Sequence, residues 1–369
     1  MITKPLSELA EIQTGPFGSQ LHKEDYVEQG TPIVTVEHLG KRQFSEQNLP
    51  NVSDSDKDRL SKYTLKTGDI VFSRVGSVDR CSFVDEKHEG WMFSGRCLRV
   101  RPNKEIDALF LYYFFCMEDT KRFVRNIAVG ATMPSINTKL MGEIPITFPN
   151  IEQQKKIASI LCRIDDKIEN NEKINNNLLE QAQALYTSMF ISNPDPSWQQ
   201  GHLSDLITVR YGKDHKKLAD GAYPVYGSGG IMRYAERPLY ERESVLIPRK
   251  GTLNNVIYVN EPFWSVDTMF YTEMRMPNVA KFVYHFVKSK DLASLNAGSA
   301  VPSMTTDILN AMELLIPSER ALAEFEAIVA PMYRAMKDND IQVAQLVKLR
   351  DVLLPKLMSG EVDVSEVDI

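Results

Sequence analysis

Two short polar signatures stand out in this 369-residue chain, and each occurs twice. The first is an arginine that leaves an apolar, strand-like run into a glycine turn. It is Arg74 before Gly76 in DIVFSRVG, and Arg249 with Lys250 before Gly251 in SVLIPRKG. A guanidinium so placed can reach a phosphate or fork onto a guanine edge; the plain alternative is a hairpin arginine satisfied by its own backbone. The second is a loop of small hydroxyl residues around a proline. It is GATMPSINTK (Gly130–Lys139), carrying Thr132, Ser135 and Lys139, and GSAVPSMTT from Gly298, carrying Ser299, Ser303 and Thr305. Such loops leave N–H groups and hydroxyls free for phosphates, or simply cap the helix that follows. Basic residues particular to each copy complete the set: Arg80 in the first, and Lys213, Lys216, Lys217 and Arg233 in the second. These are candidate nucleic-acid contacts or, more plainly, solvated faces.

No catalytic constellation accompanies them. There is no GxxxxGK[ST] phosphate loop and no FxGxG methyl-donor fingerprint. NPDPSW at Asn193 is superficially like an amino-methyltransferase NPPY loop but lacks the aromatic directly after its second proline, and reads as a linker. His22, His38, His88, His202, His215 and His285 form no HExxH or close pair. Gly227–Gly230 reads as a flexible turn. Cys81, Cys97, Cys116 and Cys162 include no CxxC and read as reduced thiols rather than zinc ligands. Neither a cofactor nor a metal is expected.

The elements that must position these signatures are two long helices. Glu152–Phe190 runs 39 residues without proline or glycine, roughly 60 Å at about 1.5 Å per residue. Its apolar positions step by three and four: Ile157, Leu161, Ile164, Ile168, then Asn171 and Asn175, then Leu178, Ala182, Leu185 and Met189. That is a heptad seam with amides at its middle. Glu319–Met358 repeats it 168 residues later through Phe325, Val329, Met332, Met336, Asn339, Val343, Leu346, Arg350, Leu353 and Leu357, with the repeat broken where Ala182 becomes Arg350.

The segments between the helices repeat too. LSELAEIQTG from Leu6 returns as LSDLITVRYG from Leu203, a shift of 197, and the hydroxyl loop returns at a shift of 168, so the second copy is shorter. Within the first, TPIVTV (Thr31–Val36), DIVFSRV (Asp69–Val75), RCLRVRP (Arg96–Pro102) and EIPITFP before Asn150 read as strands, and Leu109–Arg125 as one amphipathic helix. The chain therefore divides into a globe over 1–150, a helix over 151–191, a linker over 192–198, a second globe over 199–317, a second helix over 318–358 and a tail over 359–369.

Composition is that of a soluble globular protein, 43% hydrophobic and 25% charged. No run of 18 apolar residues is present and the N-terminus lacks a signal-peptide core, so a cytoplasmic chain without a membrane partner is expected. The net charge of −6 argues at first against nucleic acid. Residues 318–369 hold most of the excess, with 6 Lys+Arg against 10 Asp+Glu, while 1–150 carry 19 against 20 and 193–317 carry 13 against 13. A neutral globe can still gather its cations on one face.

These features together resemble a specificity subunit of a type I restriction–modification enzyme. The resemblance covers the whole chain. It rests on the order globe–helix–globe–helix and on TGPFGSQL (Thr14–Leu21, with Ser19), LKTGDIVFSRVG (Leu65–Gly76), GATMPSINTKLMGEIPITFPNIEQQKKIASIL (Gly130–Leu161) and LPKLMSGEV (Leu354–Val362). It implies an α+β fold of two repeated α/β target recognition domains joined by a pair of long antiparallel coiled-coil helices, with pseudo-twofold symmetry. It implies double-stranded DNA as partner, each globe reading half of a split, asymmetric site. Two methyltransferase (M) subunits would dock on the helices, with restriction (R) subunits joining through them, in DNA methylation and phage defence. Docking is expected at the helix starts, through Ile157, Ile160, Phe325 and Ile328. Two departures are visible. Met133 and Val301 stand where the family often has glutamine, and PSERALAEFEAIV lacks the Glu-Gln of the first helix start, so the two docking surfaces are expected to differ. Antiparallel helices bring midpoint to midpoint, so Asn171 and Asn339 are expected to pair and set the register. The rival class is a coiled-coil scaffold with protein-binding globes.

Overall fold

A stretch of 39 residues without a helix breaker becomes a helix if its apolar seam finds a partner. In the computed structural model, which describes residues 1–16, 18, 20–295 and 303–365, it does. By packing, the chain divides into two units, Met1–Asn171 with Ile341–Ile369, and Glu172–Asp340. Each long helix therefore gives one half to each unit.

In the first unit the elements are β1 (Ile2–Pro5), α1 (Leu6–Leu9), β2 (Ala10–Thr14), β3 (Tyr26–Val27), β4 (Thr31–Val34), β5 (Asn51–Val52), α2 (Asp54–Arg59), β6 (Ile70–Ser73), β7 (Cys81–Phe83), β8 (Met92–Phe93), β9 (Cys97–Pro102), α3 (Ala108–Cys116), α4 (Glu118–Ile127), α5 (Thr138–Gly142), β10 (Pro145–Phe148) and α6 (Ile151–Tyr186). Strands β2–β9–β6–β7 form an antiparallel sheet, β3–β5–β4–β8 a second sheet with a parallel β4–β8 pair, and β1 closes on β10 from Ile2–Phe148 to Pro5–Pro145. Buried Ile70, Phe72, Leu98 and Val100 face α3, where Phe115 meets Phe72 edge-on at 4.7 Å. Ile157 and Leu161 of α6 join this core, as do Leu354 and Leu357.

The single helix expected over Leu109–Arg125 is two. Met117 is extended (φ −62°, ψ 137°), and α3 ends there while α4 begins. The reason is in the residues. LFLYYFFC is apolar on every side and buried almost throughout, whereas EDTKRFVRNI has one apolar edge and rides the surface.

The second unit repeats the frame with β11 (Gln199–His202), α7 (Leu203–Leu206), β12 (Ile207–Tyr211), β13 (Asp220–Gly227), β14 (Gly230–Ala235), β15 (Ser244–Pro248), β16 (Ile257–Val259), β17 (Trp264–Ser265), β18 (Met269–Met274), α8 (Ala280–Lys288), α9 (Thr306–Asn310), β19 (Glu313–Ile316) and α10 (Glu319–Ser359). Strands β12–β18–β15–β16 match β2–β9–β6–β7, the β11–β19 pair matches β1–β10, and the parallel β13–β17 pair matches β4–β8. Helix α10 runs on through Pro331 and Pro355, each of which removes one backbone donor.

Every seam position named from the sequence is buried or half-buried in its helix. Within each unit the helix halves run antiparallel. In the first, Asp165 pairs with Arg350 and Asn171 with Gln342; in the second, Asn175 pairs with Asn339 and with the carbonyl of Met336. The expected Asn171–Asn339 hydrogen bond is thus replaced. Asn171 Nδ2 donates to Gln342 Oε1 at 2.6 Å, and Asn339 Nδ2 donates to Asn175 Oδ1 at 2.8 Å. Both amides find amide partners, one helical turn from the position that midpoint symmetry suggests.

The helix start holds a second surprise. Gln154 is fully buried: its carbonyl accepts the Asp107 N–H at 2.7 Å and its amide donates to the Pro149 carbonyl at 2.9 Å. Its counterpart at the 168-residue shift is Leu322, buried in the second core. The missing amide of the second junction therefore changes the interior at that position.

Buried polar groups in the second unit are spent on the fold. Lys281 bridges Glu243 at 3.0 Å and Glu326 at 2.7 Å. His285 lies between Gln183 Oε1 (2.8 Å) and the Tyr333 hydroxyl (3.0 Å), an arrangement suited to a neutral ring that donates on one side and accepts on the other. Burial, with Lys288 adding to it, pushes its pKa down to about 4. A base depressed in the folded state is stable above its unfolded pKa of about 6.5, and loses stability as pH falls toward 4. Acidification from pH 7 to 4.5 is expected to cost wild type about 2–3 kcal/mol more than His285→Gln. Urea midpoints at the two pH values check this; equal losses would contradict it.

Candidate nucleic-acid interface

The two signatures lie far apart in sequence and meet in both units. In the first, Val75 bridges Ser135, the Gly76 N–H donates to the Pro134 carbonyl at 2.8 Å, and the Ile136 N–H donates to the Arg74 carbonyl at 3.0 Å. In the second, Lys250 bridges Ser303 and the Met304 N–H donates to the Arg249 carbonyl at 2.9 Å. An arginine–glycine turn laid against a proline–serine loop is thus one built feature, made twice. Gly76 and Gly251 both have positive φ, +75° and +86°, which is why the turn needs glycine.

The arginines themselves are tethered. Arg74 Nη1 donates to the Gly95 carbonyl at 3.0 Å, and Arg249 Nη1 donates to the Asp267 carbonyl at 3.3 Å. Both carbonyls belong to the turn before the matching strands β9 and β18. Arg249 also lies over the exposed ring of Tyr211, 5.3 Å from its centroid. So the hairpin role is real in both copies, and it holds each guanidinium beside its own turn. Arg74→Ala and Arg249→Ala are expected to weaken specific DNA binding by about 1–3 kcal/mol for a base contact, or all DNA binding uniformly for a phosphate contact. Titrations against specific and random duplexes separate these. Unchanged affinity and salt slope in both variants would leave only the structural role.

The other expected contacts are placed as follows. Thr132, Lys139, Lys213, Lys216, Lys217 and Lys250 are exposed, and Arg80 is exposed beside Gly40. The Ser135 hydroxyl donates to the Val129 carbonyl at 3.2 Å, Ser303 is half-buried, and the Thr305 hydroxyl accepts from the Ile308 N–H at 3.3 Å as the cap of α9. Asn137 caps α5 in the same way, so both loops do end as helix caps. Arg233 is drawn inward, onto the Leu218 carbonyl (2.7 Å) and Asp220 (3.2 Å). Ser19 and Ser299 lie outside the described residues. Lys213, Arg249 and Lys250 converge on one turn, through the Ser265, Asp267 and Thr268 carbonyls.

Of the four expected docking residues, Ile157 and Phe325 have no surface to offer. Each is buried in its own core, Phe325 edge-on to Phe190 at 5.3 Å. Seam positions so close to a globe are claimed by that globe. Ile160 is half-buried and Ile328 is 45% exposed. Sequence reasoning missed Tyr211, whose RYG context resembles an ordinary strand end. Among the described residues no three His, Cys, Asp or Glu side chains gather as metal ligands would, and no helix is long and apolar enough to cross a membrane.

The family described as "Type I restriction modification DNA specificity domain" matches residues 1–180 and 196–322, one match over each repeat. The chain belongs to that family. As a type I specificity subunit it serves recognition within a restriction–modification system. It is 25% identical over 311 residues to the type I restriction enzyme MjaIX specificity subunit of Methanocaldococcus jannaschii, covering 72% of each chain. It is 21% identical over 429 aligned positions to the HindI specificity subunit of Haemophilus influenzae, covering 86% of this chain and 91% of that one. The fold is shared with the S subunit of a type I system from M. genitalium, at a TM-score of 0.63 and 19% identity over 96% of this chain and 95% of the other.

Proposed function

We propose that this specificity subunit reads an asymmetric, two-part site in double-stranded DNA, one part with residues 1–150 and the other with 199–317. The observation that carries this reading is the repeated junction of arginine–glycine turn and hydroxyl loop, set among unlike basic residues in the two copies. A shared junction suits a shared task, phosphate and groove placement, while the differing surroundings suit differing sequences. The long helices act as the spacer between the half-sites, with the Asn171–Gln342 and Asn175–Asn339 pairs fixing register. Two methyltransferase subunits dock on them, with restriction subunits joining through these, in the cytoplasm. Ile160 and Ile328 remain as docking contacts, and α10 adds exposed Ile341, Leu349 and Val352.

Binding of the subunit with its methyltransferase to labelled duplexes tests the reading. Log affinity should fall linearly with log salt, with one sequence preferred at least about a thousandfold over random duplex. A salt-independent, sequence-blind result would instead favour a scaffold whose globes bind proteins.

A further inference from the structure

The two units share their sheets but differ beside one strand. The parallel pair β4–β8 is flanked by β5, a two-residue strand, whereas the matching pair β13–β17 is flanked by β14, six residues long and at the sheet edge. Strands β13 and β14 form a hairpin through Gly227–Gly230.

The outer strand of this hairpin is unusually apolar for an edge. Ile231, Met232 and Tyr234 are 49%, 61% and 51% exposed, although the neighbouring Ala235 is buried and Arg233 is tied inward. Single exposed apolar residues are common, but three on one short edge strand are not scatter. The register shifts by one residue between Val225 and Tyr226, leaving Met232 as the extra residue of a bulge, which re-aims a side chain. Gly227 makes room for it: a Cβ there would stand 2.5 Å from the Met232 sulfur.

Cations flank the strand at both ends. Its tip seats on the arginine–glycine turn, where a Cβ on Gly251 would lie 2.7 Å from Ser228 Oγ and Asn255 Nδ2 donates to the Ser228 carbonyl at 2.8 Å. Its far end is fastened to the lysine loop by the Arg233–Leu218 bond and the Glu236 N–H to Ala219 carbonyl bond at 3.0 Å. Asp220 is neutralised by Arg233.

We propose that β14 is the base-reading edge of the second unit, with Ile231, Met232 and Tyr234 contacting base edges in the major groove while Lys213, Lys216 and Lys250 take the flanking phosphates. This rests on the reading of residues 199–317 as a DNA reader. The major groove admits a two-stranded ribbon, apolar side chains there contact the thymine methyl group, and a tyrosine adds a hydroxyl that can bond a base.

The test uses the intact complex of this chain with its methyltransferase. Tyr234→Ala and Met232→Ala are expected to lower the ratio of specific to random-duplex affinity about tenfold, with the salt slope unchanged. In methylation sequencing, the motif should loosen in one half only. Lys213→Gln with Lys216→Gln should instead weaken binding to every duplex and make the salt slope shallower by about 2. If the parent complex is site-specific and the strand variants keep its ratio and motif, β14 is not the reader and only this inference fails. Loss of methyltransferase co-purification with intact DNA discrimination would make the strand a protein-pairing edge and overturn it likewise. A parent complex with no sequence preference would overturn the DNA reading itself.

Discussion

Exchanging residues 1–150 for the equivalent globe of another specificity subunit is expected to replace one half of the methylated motif and leave the other unchanged. The physical reason is closure. The first strand pairs with the last, Ile2 with Phe148 and Pro5 with Pro145, so the segment finishes its own sheets before α6 begins. The second copy closes in the same way, Gln199 with Ile316 and His202 with Glu313. An exchange must respect one contact set beyond the junction, the packing of Ile157, Leu161, Leu354 and Leu357 on the globe, and the Gln154 clasp on Asp107 and Pro149. With these kept, the effect on specificity is all-or-none for one half-site. Change in both halves would mean that the globes do not read independently.

The second large effect is on stability. Asp165 is only 5% exposed, and it accepts from the Tyr113 hydroxyl at 2.8 Å and from Arg350 Nη1 at 2.9 Å. Arg350→Ala leaves that carboxylate with one neutral donor in a buried setting. Removing one partner of a buried pair costs about 3–5 kcal/mol. Arg350 keeps part of its side chain in water and also bonds Asp351, so about 1–3 kcal/mol is expected. Adding Asp165→Asn should recover much of it, since the charge is then gone. Urea unfolding of the single and double variants gives the coupling; independent, additive losses would contradict a direct pair.

Arg350 also shows what the sequence could and could not reveal. At the repeat shift it looks like damage to an apolar seam. In three dimensions it answers Asp165, which lies off the seam and gave no sign of burial. The seam was legible because heptad spacing is local. Partner choice was not: the central amides were visible, but which amide faces which depends on a one-turn offset that only packing decides. The strands over Thr31, Asp69 and Arg96 were legible from β-branched runs, and the globe repeat from matching words. That the arginine turn and the hydroxyl loop touch was not, since some 55 residues separate them and only the repeat hinted at a common task. Nor was the exposed edge of β14, because IMRYA is written like a strand buried on one face. Ile157 and Phe325 erred in the opposite direction. Apolar surplus at a helix start looks the same in sequence whether a partner subunit or the chain's own globe covers it.

The most direct measurement is methylation sequencing of cells carrying this subunit with its methyltransferase, against cells lacking the subunit. The account predicts one new motif made of two unlike halves separated by a fixed run of unspecified bases. An uninterrupted motif, two identical halves, or no motif that depends on this chain would contradict it.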